Sequence, residues 1–185
     1  MFIKFGIMMK VTNNYIFLII IFFCISVNAA DVQVQINGAI LDQSCNIKST
    51  DLTKNVVFDD LNPSNFPSLG SVSNVQEVNI ELENCTGNID KMYYIFSGDE
   101  DSSDPSLLKI IGQAGSSSED LASGIAIQIL DTNKKAIALN KNQSLNQIIT
   151  DKIYSFKFYL RYKSTNSTVT PGDASSLLYL DFYYE

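Results

Sequence analysis

Three groups of residues have the types and spacing to do chemistry: the cysteines Cys24, Cys45 and Cys85, the acidic run "GDEDSSDP" at 98–105, and the adjacent carboxylates Asp59–Asp60 and Glu119–Asp120. An EF-hand calcium loop needs glycine at its sixth position and a bidentate Glu at its twelfth. Counted from Asp99, those positions hold Asp104 and Ile110; counted from Asp101, Pro105 falls at the fifth. Both registers fail, and the run reads as a solvated acidic loop. Neighbouring carboxylates on a strand point to opposite faces, so the two acidic pairs read as surface charge. The chain has no histidine. That excludes Ser-His-Asp and Cys-His catalysis and nearly all zinc and copper enzyme sites. It also lacks G-x-x-x-x-G-K-[ST] and G-x-G-x-x-G, so no loop cradles phosphates. No cofactor is implied. Short N-x-[ST] matches at Asn84, Asn142 and Asn166 carry no weight of their own.

What the thiols do depends on compartment. Residues 1–29 read as a secretory signal peptide, with Lys4 and Lys10 before the apolar stretch "YIFLIIIFFCISV" at 15–27. Val27 and Ala29 suit the −3 and −1 places of cleavage, and cleavage after Ala30 is the alternative. The apolar stretch falls short of the roughly 20 residues a membrane span needs. Cys24 leaves with the leader. Cys45 and Cys85 then form an even pair in an exported chain, which points to one disulfide rather than two buried thiols. Closing a loop of that length contributes about 4 kcal/mol in the chain-entropy model. The net charge is −7, and the leader takes lysines but no acids with it. Nucleic acid and anionic membrane surfaces are poor partners for such a chain.

The chain is 45% hydrophobic and 18% charged, enough apolar material for a core. Period-2 alternation dominates it. It places Val78, Ile80 and Leu82 on one face of a strand, then Met92, Tyr94 and Phe96, then Ile125, Ile127 and Ile129. Farther on come Tyr154, Phe156, Phe158, Leu160 and Tyr162, with Lys157 and Arg161 facing out, and then Leu178, Leu180, Phe182 and Tyr184 in a last strand over 177–184. Each reads as a half-buried strand. Turn signals separate them at 62–70, 98–105, 112–120, 131–135 and 170–175. "SLLKIIGQ" at 106–113 fits a helical turn or a short strand. Many short strands, one disulfide and no helical period predict an antiparallel β-sandwich. Before all of them, "ADVQVQINGAILDQSC" at 30–45 alternates Val32, Val34, Ile36, Gly38 and Ile40 on one face.

Five segments in order resemble the pilin subunits of chaperone–usher fimbriae, the type 1 and P pilus group. They are the alternating stretch that runs through "AILDQSCNI", "VNIELENC" at 78–85, "FSGDED" at 96–101, "SGIAIQILDTNKKAIALN" at 123–140, and "YLRYKSTNSTVTPGDASSLLYLDFYYE" at 159–185. The chain departs from the family pattern at three places: Lys134–Lys135 where a turn glycine is common, Leu160 before the Arg-Tyr pair, and Glu185 where Gln is frequent.

The resemblance implies an all-β fold, an incomplete immunoglobulin-like antiparallel sandwich lacking its last strand, with an N-terminal donor-strand extension. The implied organisation is a signal peptide at 1–29, the extension at 30–44 and the pilin domain at 45–185. The extension would carry donor residues Val32, Val34, Ile36, Gly38 and Ile40. The acceptor groove and chaperone-binding edge would fall at Leu178, Leu180, Phe182, Tyr184 and Glu185. A bond between Cys45 and Cys85 would pin the first strand where the extension departs. The implied partners are a periplasmic pilus chaperone, an outer-membrane usher and neighbouring pilin subunits, with a host receptor reached through the assembled fibre. The implied route is export to the periplasm and then the surface fimbrium. The implied function is a non-enzymatic fimbrial subunit. The competing reading is a single-domain secreted adhesin or lectin-like module, with Tyr93, Tyr94, Tyr159, Tyr179 and Tyr183 as its binding surface.

Overall fold

The structure, a computed structural model, describes residues 43–185. Seven strands form: β1 (Ser44–Ile47), β2 (Gln76–Thr86), β3 (Met92–Ser97), β4 (Ile125–Leu130), β5 (Gln143–Leu145), β6 (Ile153–Ser164) and β7 (Tyr179–Tyr184). They make two sheets in the orders β1-β2-β6-β4 and β5-β3-β7, and every strand pairing is antiparallel. This is the all-β, open sandwich that the alternating pattern implies.

The alternation works because successive strand residues face opposite ways. Val78, Ile80 and Leu82 from β2 and Phe156, Phe158, Leu160 and Tyr162 from β6 turn into one core with Met92, Tyr94 and Phe96 from β3. At its centre Phe96 meets Phe158 at 4.8 Å between ring centres, and Tyr94 meets Phe156 edge-on at the same distance. Such pairs add about 0.5–1.5 kcal/mol beyond the area they bury.

Cys45 and Cys85 are joined by a disulfide between β1 and β2. The β1–β2 register slips by one between Ser44 and Asn46, and Asn84, at φ +54°, lies in the slipped stretch of β2. A bulge of this kind re-aims neighbouring side chains.

Two expectations need correction. β4 is buried on both faces, Ala126, Gln128 and Leu130 included, rather than half-buried. Its surroundings explain this. Leu108 pairs with Ile127, Ala136 pairs with Leu130, the Arg161 Nε donates to Gln128 Oε1 at 2.8 Å, and Lys163, opposite Ala126, reaches Asp104 of the acidic loop. Of the two readings of 106–113, the structure favours the short strand over the helical turn, with Leu108 in β-bridges to Glu100 and Ile127. The last strand starts at Tyr179 rather than residue 177, because the Ser176 hydroxyl donates to the Lys109 carbonyl just before it and holds the chain to the 109–112 loop.

Candidate functional site

Sheet β5-β3-β7 ends at β7, and among the described residues no strand pairs with its outer edge. The Glu185 N–H donates to the Lys91 carbonyl at 3.1 Å, which sets the phase of the β3–β7 ladder. Bonded and non-bonded pairs alternate in an antiparallel ladder. Tyr183 and Asp181 therefore spend their amides on Tyr93 and Ile95, while Leu180, Phe182 and Tyr184 turn theirs to the open edge. The same three residues carry the inward side chains. The strand thus presents apolar groups to the core and unpaired amides to the edge at the same positions.

Beside that edge lies a groove of about 870 Å³. Leu178, Leu180 and Phe182 form one wall, and Val78, Ile80, Ile125, Ile127, Phe158 and Leu160 lie deeper in it. Phe182 packs edge-on against Phe156 at 5.1 Å. Tyr184 and Glu185 lie outside the groove's lining; the Tyr184 hydroxyl instead donates to the Cys45 carbonyl at 3.4 Å, and burial pushes its phenol pKa up.

The opposite wall is the stretch 52–61, where the sequence predicts no strand. Its only local signal is the triplet Val56-Val57-Phe58, too short to reveal a strand. Val56 and Phe58 turn inward, the Phe58 ring meeting Tyr162 at a tilt with 4.5 Å between centres, while Val57 is 74% exposed. Among the described residues, 52–61 make no backbone hydrogen bond. Asp51 explains why the chain leaves the sheet here. The Lys48 amide bonds the Glu81 carbonyl, but the Lys48 carbonyl accepts the Asp51 amide, and the Asp51 carboxylate takes its place as acceptor of the Glu81 N–H at 2.8 Å. Lys54 at 2.7 Å and that amide hold the Asp51 carboxyl down to a pKa of about 2. The groove therefore runs between the open edge of β7 and a stretch of irregular chain whose backbone has no partner among the described residues.

Donor residues Val32, Val34, Ile36, Gly38 and Ile40 lie outside the described residues. The acidic run is tied by its own turn: Asp101 accepts the amides of Ser103 and Asp104, and Asp104 accepts from Ser106 and pairs with Lys163. Among the described residues no cluster of acids and cysteines is placed to hold a metal ion. The tyrosine surface is incomplete, because Tyr94 faces the core at 9% exposure and Tyr159 lies under the Lys134 ammonium; Tyr179 and Tyr183 are exposed.

A family model described as fimbrial protein matches residues 34–185. The chain belongs to the fimbrial protein family. It is 35% identical over 155 residues to the uncharacterized fimbrial-like protein YcbU of Escherichia coli K12, covering 83% of this chain and 84% of that one. The type I fimbria protein and antigen BPSL1626 of Burkholderia pseudomallei has a similar structure, with a TM-score of 0.57 at 26% identity over 77% of this chain and 90% of that one. The P pilus rod subunit PapA shares the fold, with a TM-score of 0.60 at 19% identity over 76% of this chain and 99% of that one. As a fimbrial protein, the chain is a structural, non-catalytic subunit of a chaperone–usher fimbria on the cell surface.

Proposed function

We propose that the groove beside β7 accepts a strand from another molecule, first a periplasmic chaperone and then residues 30–41 of a neighbouring subunit. The observation that carries this is the phase of β7, which turns the amides of Leu180, Phe182 and Tyr184 to an open edge while their side chains face the core. An apolar groove with an open edge is an aggregation hazard unless something covers it. Strand addition supplies backbone hydrogen bonds for affinity and alternate side-chain pockets for specificity. Residues 52–61 offer the incoming strand a second unpaired backbone on its other side.

The extension has the donor's pattern. Burying Val32, Val34, Ile36 and Ile40 contributes about 6–12 kcal/mol gross, as an upper bound. Gly38 suits a tight place in the groove. Export with loss of residues 1–29 delivers the subunit to the chaperone, and an outer-membrane usher is the site of exchange. Contacts with a host receptor are made by the assembled fibre.

The test is deletion of residues 30–41, with the subunit co-expressed with its chaperone. The truncated subunit should still bind chaperone but form no detergent-resistant chains. Detergent-resistant chains from the truncated subunit would overturn the reading.

A further inference from the structure

The groove has a mouth where the chain enters β7, and one carboxylate gathers the loops around it. Asp173 Oδ2 accepts the Gln113 amide at 2.7 Å and the Ser116 hydroxyl at 2.9 Å, and its Oδ1 accepts the Ser175 amide at 2.9 Å. Its backbone is engaged as well: its N–H donates to the Asp120 carbonyl at 2.7 Å, and its carbonyl accepts the Ala122 amide at 3.0 Å. The Ser175 carbonyl in turn accepts the amides of Ile111 and Gly112 at 3.0 Å each. The next residues, Ala174 to Leu177, line the groove without forming a strand. A lining with no ladder of its own takes its shape from such side-chain bonds. The fimbrial resemblance around "VTPGDA" involves Val169, Thr170, Gly172 and Ala174, and leaves position 173 open.

We propose that Asp173 is a positioning residue for strand capture: it ties the 112–123 loop to the 173–176 stretch and so presets the mouth of the acceptor groove. This rests on the acceptor reading above. The carboxylate is suited to the task because donors from Gln113, Ser116 and Ser175 converge on its two oxygens, and an amide of the same shape would turn one NH₂ toward a donor. Preorganised binding elements raise affinity by cutting the ordering cost of binding. Loss of the tie leaves the core of the sandwich intact and slackens only the mouth.

The experiment uses the full mature chain and a dye-labelled synthetic peptide of residues 30–41. Capture kinetics and the thermal midpoint are measured for wild type, Asp173→Asn, Ser116→Ala and Asp120→Asn. The Asp120 side chain caps Ser117 within the same loop, and its replacement leaves the bond from the Asp173 amide to the Asp120 carbonyl in place, so it reports on loop stability. Asp173→Asn should slow capture about tenfold and Ser116→Ala about threefold. Asp120→Asn should leave capture unchanged. Ser116→Ala removes one donor only, so it keeps the comparison alive if Asp173→Asn does not fold. Capture at the wild-type rate in Ser116→Ala and in any folded Asp173→Asn, or equal slowing in Asp120→Asn at an equal loss of thermal midpoint, would overturn the role of Asp173. Failure of the wild-type chain to take up the peptide would instead overturn the acceptor reading itself.

Discussion

The Tyr184 hydroxyl donates to the Cys45 carbonyl across 3.4 Å, so the last strand of one sheet touches the first strand of the other beside the disulfide. Cys45 is thereby held twice, covalently to β2 and by hydrogen bond to β7. The covalent link should dominate. A subunit with both cysteines replaced by alanine should lose about 2–4 kcal/mol of stability, measured by denaturant unfolding against the oxidised parent. Tyr184→Phe should cost about 1 kcal/mol or less. A larger loss from Tyr184→Phe than from the double cysteine variant would reverse this ranking.

The two faces of β7 should respond differently to truncation. Phe182 is half-buried against Phe156, and Phe182→Ala should cost about 2–3 kcal/mol, below the full range for a buried ring. Tyr183 faces outward at 50% exposure, and Tyr183→Ala should stay within about 1 kcal/mol of the parent. Thermal unfolding of the two variants checks the contrast.

Acid should reach the loops before the core. Asp51 has its carboxyl held down to about 2 by Lys54 and the Glu81 amide. Asp173 is held well below the usual carboxylate range by the Ser175 hydroxyl and the Gln113 amide. A depressed folded pKa means stability that is present above the unfolded value, about 3.9, and lost as pH falls through the folded one. The thermal midpoint should therefore hold near neutral pH, begin to fall below about pH 4 and keep falling to about pH 2. Asp51→Asn should lower the midpoint at pH 7 and flatten this acid limb. An acid limb as steep in Asp51→Asn as in the parent would remove Asp51 from the account.

Lys134 is a test of two opposed local terms. It sits at φ +63°, where a glycine carries no penalty, yet its ammonium lies over the Tyr159 ring. The left-handed conformation costs an ordinary residue about 1–2 kcal/mol, and an exposed cation–π contact returns about 0.5–1 kcal/mol. Lys134→Gly should thus be neutral to slightly stabilising. Lys134→Ala keeps the backbone cost, loses the contact and should be destabilised by about 0.5–1 kcal/mol. Melting temperatures of the two variants give the order directly.

Much of the fold was legible because its rule is local. Alternation along 78–84, 92–98 and 153–162 assigned inward faces correctly at Val78, Phe96 and Phe158, and period 2 needs no knowledge of partners. Lys134–Lys135 stood out against the family pattern, and Lys134 indeed takes a conformation suited to glycine. What failed was whatever depended on a distant neighbour. The full burial of β4 comes from Leu108, Arg161 and Lys163, none of them in its own segment. Tyr94 was expected to contribute to a surface although its own period placed it with Met92 and Phe96 in the core.

The sequence alone determined which face of each strand is apolar, that a cysteine pair was available for a disulfide, and the likeness to fimbrial subunits. All three follow from residue type and short spacing. The tertiary structure decided which strand is left at an edge, which amides of β7 turn outward, and that 52–61 makes the opposite wall. It also decided that Asp51 and Asp173 hold the two walls from a distance, across sequence gaps of 30 and 60 residues. A hydrogen bond spanning such a gap leaves no local period, because it depends on where the whole chain has brought its two ends.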